Sequence, residues 1–89
     1  MKIKLELFGA SRDLSNKEFL EINIKENISI KDLRNKIINY VDEKFKGNEN
    51  YKKIIETSVF CSEDNNIVSD SYQITKDQKI GIIPPIGGG

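Results

Sequence analysis

Histidine and tryptophan are absent from the 89 residues, cysteine occurs once, and the two prolines stand side by side near the end. Each shortage removes a class of function. Without histidine, and with Cys61 alone, neither the usual zinc sites nor a histidine-based catalytic triad can be assembled, so no metal site is expected. One cysteine cannot close an internal disulfide, which excludes a stapled secreted scaffold. Neither sign of charge is in excess: 14 basic residues balance 14 acidic ones. A general nucleic-acid binder needs surplus Lys and Arg to neutralise phosphates. No apolar run approaches a membrane span, and none near the start resembles a signal peptide. The expectation is a cytoplasmic protein, in contact with neither nucleic acid nor membrane, that is not a catalyst by itself.

What the chain does contain is an unusual ending: Ile82, Ile83, Pro84, Pro85, Ile86, Gly87, Gly88 and Gly89. The isoleucines read as the end of a strand. The prolines stop the ladder, since neither donates a backbone hydrogen bond and each holds φ near −65°. Three glycines then give up side-chain packing and keep backbone freedom. Terminal glycines are also what a frayed linker looks like. A rigid Pro-Pro stem directly after a strand argues instead for a tip made to enter a slot that admits only backbone. The chemistry such a tip can present is the α-carboxylate of Gly89. The expected organisation is one domain over residues 1–86 and a flexible tail over 87–89.

Residues 2–8 alternate, with Ile3, Leu5 and Leu7 facing one way and Lys2, Lys4 and Glu6 the other, a half-buried strand. Phe8 departs from the inward set. Gly9 to Lys17 is a turn-rich link, and residues 19–24 alternate again through Leu20, Ile22 and Ile24 to give a second strand, an antiparallel hairpin partner. Ser29 is an N-cap with Asp32 three positions on. Ile30, Leu33, Ile37, Val41 and Phe45 then recur at helical spacing, while Lys31, Arg34, Lys36, Asn39, Asp42 and Glu43 are assigned to water. Gly47 to Asn50 ends this helix, and Tyr51 to Ile55 reads as one short helical turn. Thr57 to Cys61 reads as a strand with Val59 and Cys61 as its apolar positions, Cys61 being taken as a small core hydrophobe. Ile67 and Val68 form a return strand, Tyr72 and Ile74 anchor a loop, and Lys79 to Ile83 is the last strand, with Ile80 and Ile82 on one face.

That order, with one long helix crossing a small mixed sheet, predicts an α+β fold of the β-grasp (ubiquitin-like) kind. In that fold the first and last strands run parallel and adjacent, which brings Phe8 and Ile83 to the same end. Both lie out of phase with the inward sets of their strands, so they predict an exposed apolar patch beside the tail, a docking surface. The simpler reading is that they cover the sheet edge.

A β-grasp order that ends Pro84-Pro85-Ile86-Gly87-Gly88-Gly89 resembles the MoaD/ThiS family of ubiquitin-like sulfur carriers, most of all the molybdopterin synthase small subunits. Phe8-Gly9-Ala10-Ser11-Arg12-Asp13-Leu14 is similar to that family's segment after the first strand. Lys76-Asp77-Gln78-Lys79 differs from the acidic turn common there, and Gly87 from the commoner small polar residue. The resemblance implies that a ubiquitin-activating-like adenylyltransferase, using ATP and magnesium, adenylates Gly89. The chain itself is expected to bind no cofactor. A sulfurtransferase or cysteine desulfurase would supply persulfide sulfur to make a thiocarboxylate. The tail residues Pro84, Pro85, Ile86, Gly87 and Gly88 would thread into the molybdopterin synthase large subunit, in a heterotetramer of two small and two large subunits. Cyclic pyranopterin monophosphate would there receive sulfur for the molybdopterin dithiolene, for molybdenum cofactor biosynthesis. Phe8, Arg12 and Ile83 are the expected partner-binding residues, although Arg12 equally reads as a solvated turn residue. A carrier for thiamine or tRNA thiolation, a protein modifier joined through Gly89, and a plain interaction module stand as the other readings.

Overall fold

The alternation in residues 2–7 and 78–83 forces two strands to bury one face each, and the helical stripe from Ile30 to Val41 supplies what they bury it against. The computed structural model describes residues 1–9, 11 and 19–85. The elements in chain order are β1 (Lys2–Leu7), β2 (Phe19–Asn23), β3 (Ile28–Ser29), α1 (Ile30–Lys44), α2 (Glu49–Thr57), β4 (Val59–Cys61), β5 (Ile67–Val68), β6 (Gln73–Ile74) and β7 (Gln78–Ile83). Five strands form one mixed sheet in the order β2-β1-β7-β4-β5, and β3 pairs with β6 in a separate two-stranded ladder. β1 runs antiparallel to β2 and parallel to β7, with Leu5 opposite Ile80 and Leu7 opposite Ile82. This is the expected β-grasp arrangement.

The core lies between the sheet and the helices. Ile3, Leu5 and Leu7 from β1, Ile80 and Ile82 from β7, and Phe60 from β4 meet Ile30, Leu33, Ile37 and Val41 of α1 and Ile55 of α2. Full burial of each such side chain contributes about 1.5–3 kcal/mol. The start of α1 is capped as expected, Ser29 Oγ accepting from the Asp32 amide at 3.1 Å. Its first amides are also satisfied from outside: Ile30 N donates to the Tyr72 carbonyl and Lys31 N to that of Asp70, both at 3.0 Å. Lys46 and Gly47, at φ 54° and 72°, turn the chain out of α1.

Four expectations need correcting. The segment after Gly47 is a nine-residue helix rather than one turn. Asn48 caps it by accepting from the Tyr51 amide at 3.1 Å, and the Tyr51 ring meets Phe45 edge-on at 4.7 Å. Tyr72 lies in a loop as expected, but Ile74 does not, since it pairs with Ile28 across β3 and β6. On β4 the phase is reversed: Phe60 is fully buried, whereas Val59 is exposed and Cys61 is half-buried on the other face. Phe60 carries far more apolar surface than Val59 and Cys61 can each offer, so it takes the single inward position of a three-residue strand. Arg34, assigned to water, is instead half-buried, with its guanidinium against the carbonyls that end α2.

Candidate docking face and tail stem

The site begins where β1 ends. Beyond the Leu7–Ile82 pair, the Phe8 amide still donates to the Ile82 carbonyl at 3.3 Å. Gly9 then adopts φ 52°, a left-handed turn that glycine takes without steric penalty. The buried Ser11 locks this turn, its amide at 3.1 Å and its hydroxyl at 2.6 Å both donating to the Phe8 carbonyl. The turn sits against the stem: a Cβ on Gly9 would stand 3.9 Å from Pro84 Cδ. Phe8 and the first proline of the stem are therefore held together by one short piece of backbone.

Strand alternation settles what faces outward at this end. Leu7, Ile82 and Phe60 point into the core, so Phe8, Ile83 and Val59 occupy the opposite face. Val59 lies opposite Ile83, Cys61 opposite Gly81, and Ile67 opposite Cys61 on β5. The result is a continuous apolar area across β1, β7, β4 and β5. Phe8 and Val59 are each 43% exposed and Ile67 70%, while Cys61 and Ile83 are half-buried. The Phe8 ring does not stand free. It folds back over β7, its Cε2 lying 3.3 Å from where a Cβ of Gly81 would be.

The other half of the outer face is charged. Lys79 Nζ lies 3.8 Å from Glu6, Lys2 Nζ 4.0 Å from Glu21, and Lys4 Nζ 4.1 Å above the Phe19 ring. Lys2 N also donates to Asp77 Oδ1 at 2.8 Å. Acids and lysines interleave here, so this half offers solvation and little net charge. The apolar half lies next to Pro84.

Of the sequence-derived site residues, Phe8, Ile83, Pro84 and Pro85 are described, and the fold brings Phe8, Ile83 and Pro84 to one end of the sheet. Arg12, Ile86, Gly87, Gly88 and Gly89 lie outside the described residues. Val59, Cys61 and Ile67 join the patch without having been expected there. The signal for Val59 and Cys61 was the size of Phe60 between them; Ile67 follows only from the pairing register. Among the described residues, no helix is long and apolar enough to cross a membrane, and no group of three or more acids or cysteines could hold a metal ion.

No protein-family model and no curated protein matches the chain. Solved structures do. SAMP1 from Haloferax volcanii superposes with a TM-score of 0.69 at 10% identity, over all of both chains. A Pyrococcus furiosus protein provisionally named molybdopterin converting factor subunit 1 gives 0.62 at 18% identity, over 96% of this chain and 98% of that one. A ubiquitin from Caldiarchaeum subterraneum gives 0.61 at 18% identity, over 100% and 98%. At such identities the likeness is one of fold, and that fold is the ubiquitin-like β-grasp.

Proposed function

We propose that this chain is a ubiquitin-like sulfur carrier that works as the small subunit of a molybdopterin synthase, with Gly89 as its reactive residue. The observation that carries the reading is the apolar outer face formed around Phe8, Val59 and Ile83, continuous with the Pro84-Pro85 stem that leads to the glycine ending. A partner seated on that face would stand where the stem delivers the tail.

The chemistry follows from the weakness of a carboxylate as an electrophile. In the partner's site, the Gly89 carboxylate would attack the α-phosphate of ATP, releasing pyrophosphate and leaving an acyl-adenylate. A protein persulfide would then displace AMP at the acyl carbon. Cleavage of the resulting acyl disulfide by a thiol would leave a thiocarboxylate on Gly89 and a disulfide between the two thiol donors. In the synthase, the thiocarboxylate sulfur would pass to cyclic pyranopterin monophosphate, and hydrolysis would return the carboxylate. The catalytic groups belong to the partners. This chain supplies the docking face, a stiff stem and a tip without side chains, because any side chain at Gly88 or Gly89 would clash in a channel cut for backbone.

The test is the state of the C-terminus in protein isolated from its own cells. A C-terminal peptide about sixteen mass units heavier, reactive with a thiocarboxylate-selective probe, is expected. Gly89→Ala, and deletion of Gly89, should abolish probe reaction and sulfur transfer while leaving the circular dichroism spectrum and melting temperature unchanged. Full transfer by either variant would refute the mechanism. The Caldiarchaeum ubiquitin of the same fold favours a second reading, a modifier joined through Gly89 to lysines of other proteins. High-mass covalent adducts in lysates that vanish on deletion of Gly89, with no thiocarboxylate found, would select it. Which acceptor co-purifies would separate molybdopterin from thiamine or tRNA thiolation.

A further inference from the structure

We infer that Gly81 is a positioning residue of the docking face: its bare Cα is the seat on which the Phe8 ring lies, and it sets the pose in which that ring meets the activating enzyme. The inference rests on the proposed role of this face in partner docking. Gly81 is buried in the middle of β7, between the core residues Ile80 and Ile82. Glycine weakens a strand interior, where β-branched residues are favoured, so its presence needs a reason. Conformation is not that reason, because Gly9 and Gly47 are the described glycines with positive φ and Gly81 is not among them.

Space is the reason. A Cβ on Gly81 would stand 3.3 Å from Phe8 Cε2, 4.0 Å from Phe8 Cδ2 and 3.5 Å from Cys61 Cβ. The cysteine contact is ordinary, and the ring contact is too close. That ring belongs to a side chain 43% exposed on the solvent face, so it can swing aside without disturbing the core. A side chain at position 81 therefore moves the ring and spares the fold. Glycine here gives up strand stability and leaves room for the edge of the Phe8 ring against β7, one outward position before Ile83.

Such a residue makes stability and docking change in opposite directions. Gly81→Val should leave the melting temperature unchanged or raise it. In ATP–pyrophosphate exchange with the adenylyltransferase of the same organism, it should raise the KM for the carrier about tenfold and leave kcat unaltered, the signature of lost binding without lost chemistry. Phe8→Ala should raise KM comparably, and the double variant Phe8→Ala/Gly81→Val no further, because Gly81 acts through the ring. In the wild-type NMR spectrum the Gly81 α protons should be shifted by the Phe8 ring current, and Phe8→Ala should abolish the shift. Absence of that shift overturns the seat, whatever the partner. A Gly81→Val protein with unchanged KM, when Phe8→Ala raises it, overturns the positioning role and leaves the docking face standing. An unchanged KM in Phe8→Ala itself overturns both.

Discussion

Arg34 donates to the carbonyls of Ile55 at 2.8 Å, Glu56 at 3.3 Å and Ser58 at 2.7 Å, groups that the end of α2 leaves without helical partners. The same guanidinium pairs with Asp70 at 2.9 Å and lies 4.6 Å above the Phe60 ring. Its side chain is 16% exposed. The helical wheel of residues 30–45 assigns it to water beside Lys31 and Lys36, because a wheel knows nothing of a second helix packing alongside. Lysine carries the charge without the planar fork, so it cannot serve several carbonyls and a carboxylate together. Arg34→Lys is expected to lower stability by about 1–3 kcal/mol, seen as a lower urea midpoint at unchanged m-value. An unchanged midpoint would reduce Arg34 to a surface cation.

α2 is where periodicity under-reads the chain at the scale of an element. Within Glu49–Thr57 the apolar side chains are Tyr51, Ile54 and Ile55, and nine residues are too few for a helix to persist alone in water. Tertiary contacts complete it: the Asn48 cap at one end, the Arg34 donors at the other, and Tyr51 against Phe45. Asn48→Ala should cost about 1 kcal/mol and speed hydrogen exchange in the first turn of α2 more than in α1. Equal exchange in both helices would show that the cap carries no local stability. β4 is legible as a strand but its inward phase is not, for a related reason: three residues contain a single inward position and no measurable period.

Across the whole molecule, Phe60 lies in the core that the sheet shares with both helices, while its neighbours Val59 and Cys61 look outward. A domain of this size has roughly 4–13 kcal/mol of total stability. Phe60→Ala, which empties a fully buried aromatic site, should cost about 3–5 kcal/mol of it and lower the melting temperature sharply. Ile67→Ala, 70% exposed on the edge strand of the same sheet, should change stability by less than about 0.5 kcal/mol. Thermal melts of the two variants side by side check the division into a stabilising inner face and an outer face left for contact. Comparable losses would erase it.

The sequence alone determined the elements whose signals are local. Alternation marked β1 and β7, the stripe from Ile30 to Val41 with its Ser29 cap marked α1, and the Pro84-Pro85 stem marked the end of the sheet. Their order was enough to name the fold and to expect Phe8 and Ile83 at one end. Only the tertiary structure decided that Val59, Cys61 and Ile67 widen that patch, that Arg34 closes α2, and that the Phe8 ring rests on Gly81. Each of these depends on which residue of one strand or helix faces which residue of another. Periodicity is a property of one segment. Register and helix packing are set between segments distant in the chain, by the burial of side chains such as Phe60 that must find room in a shared core.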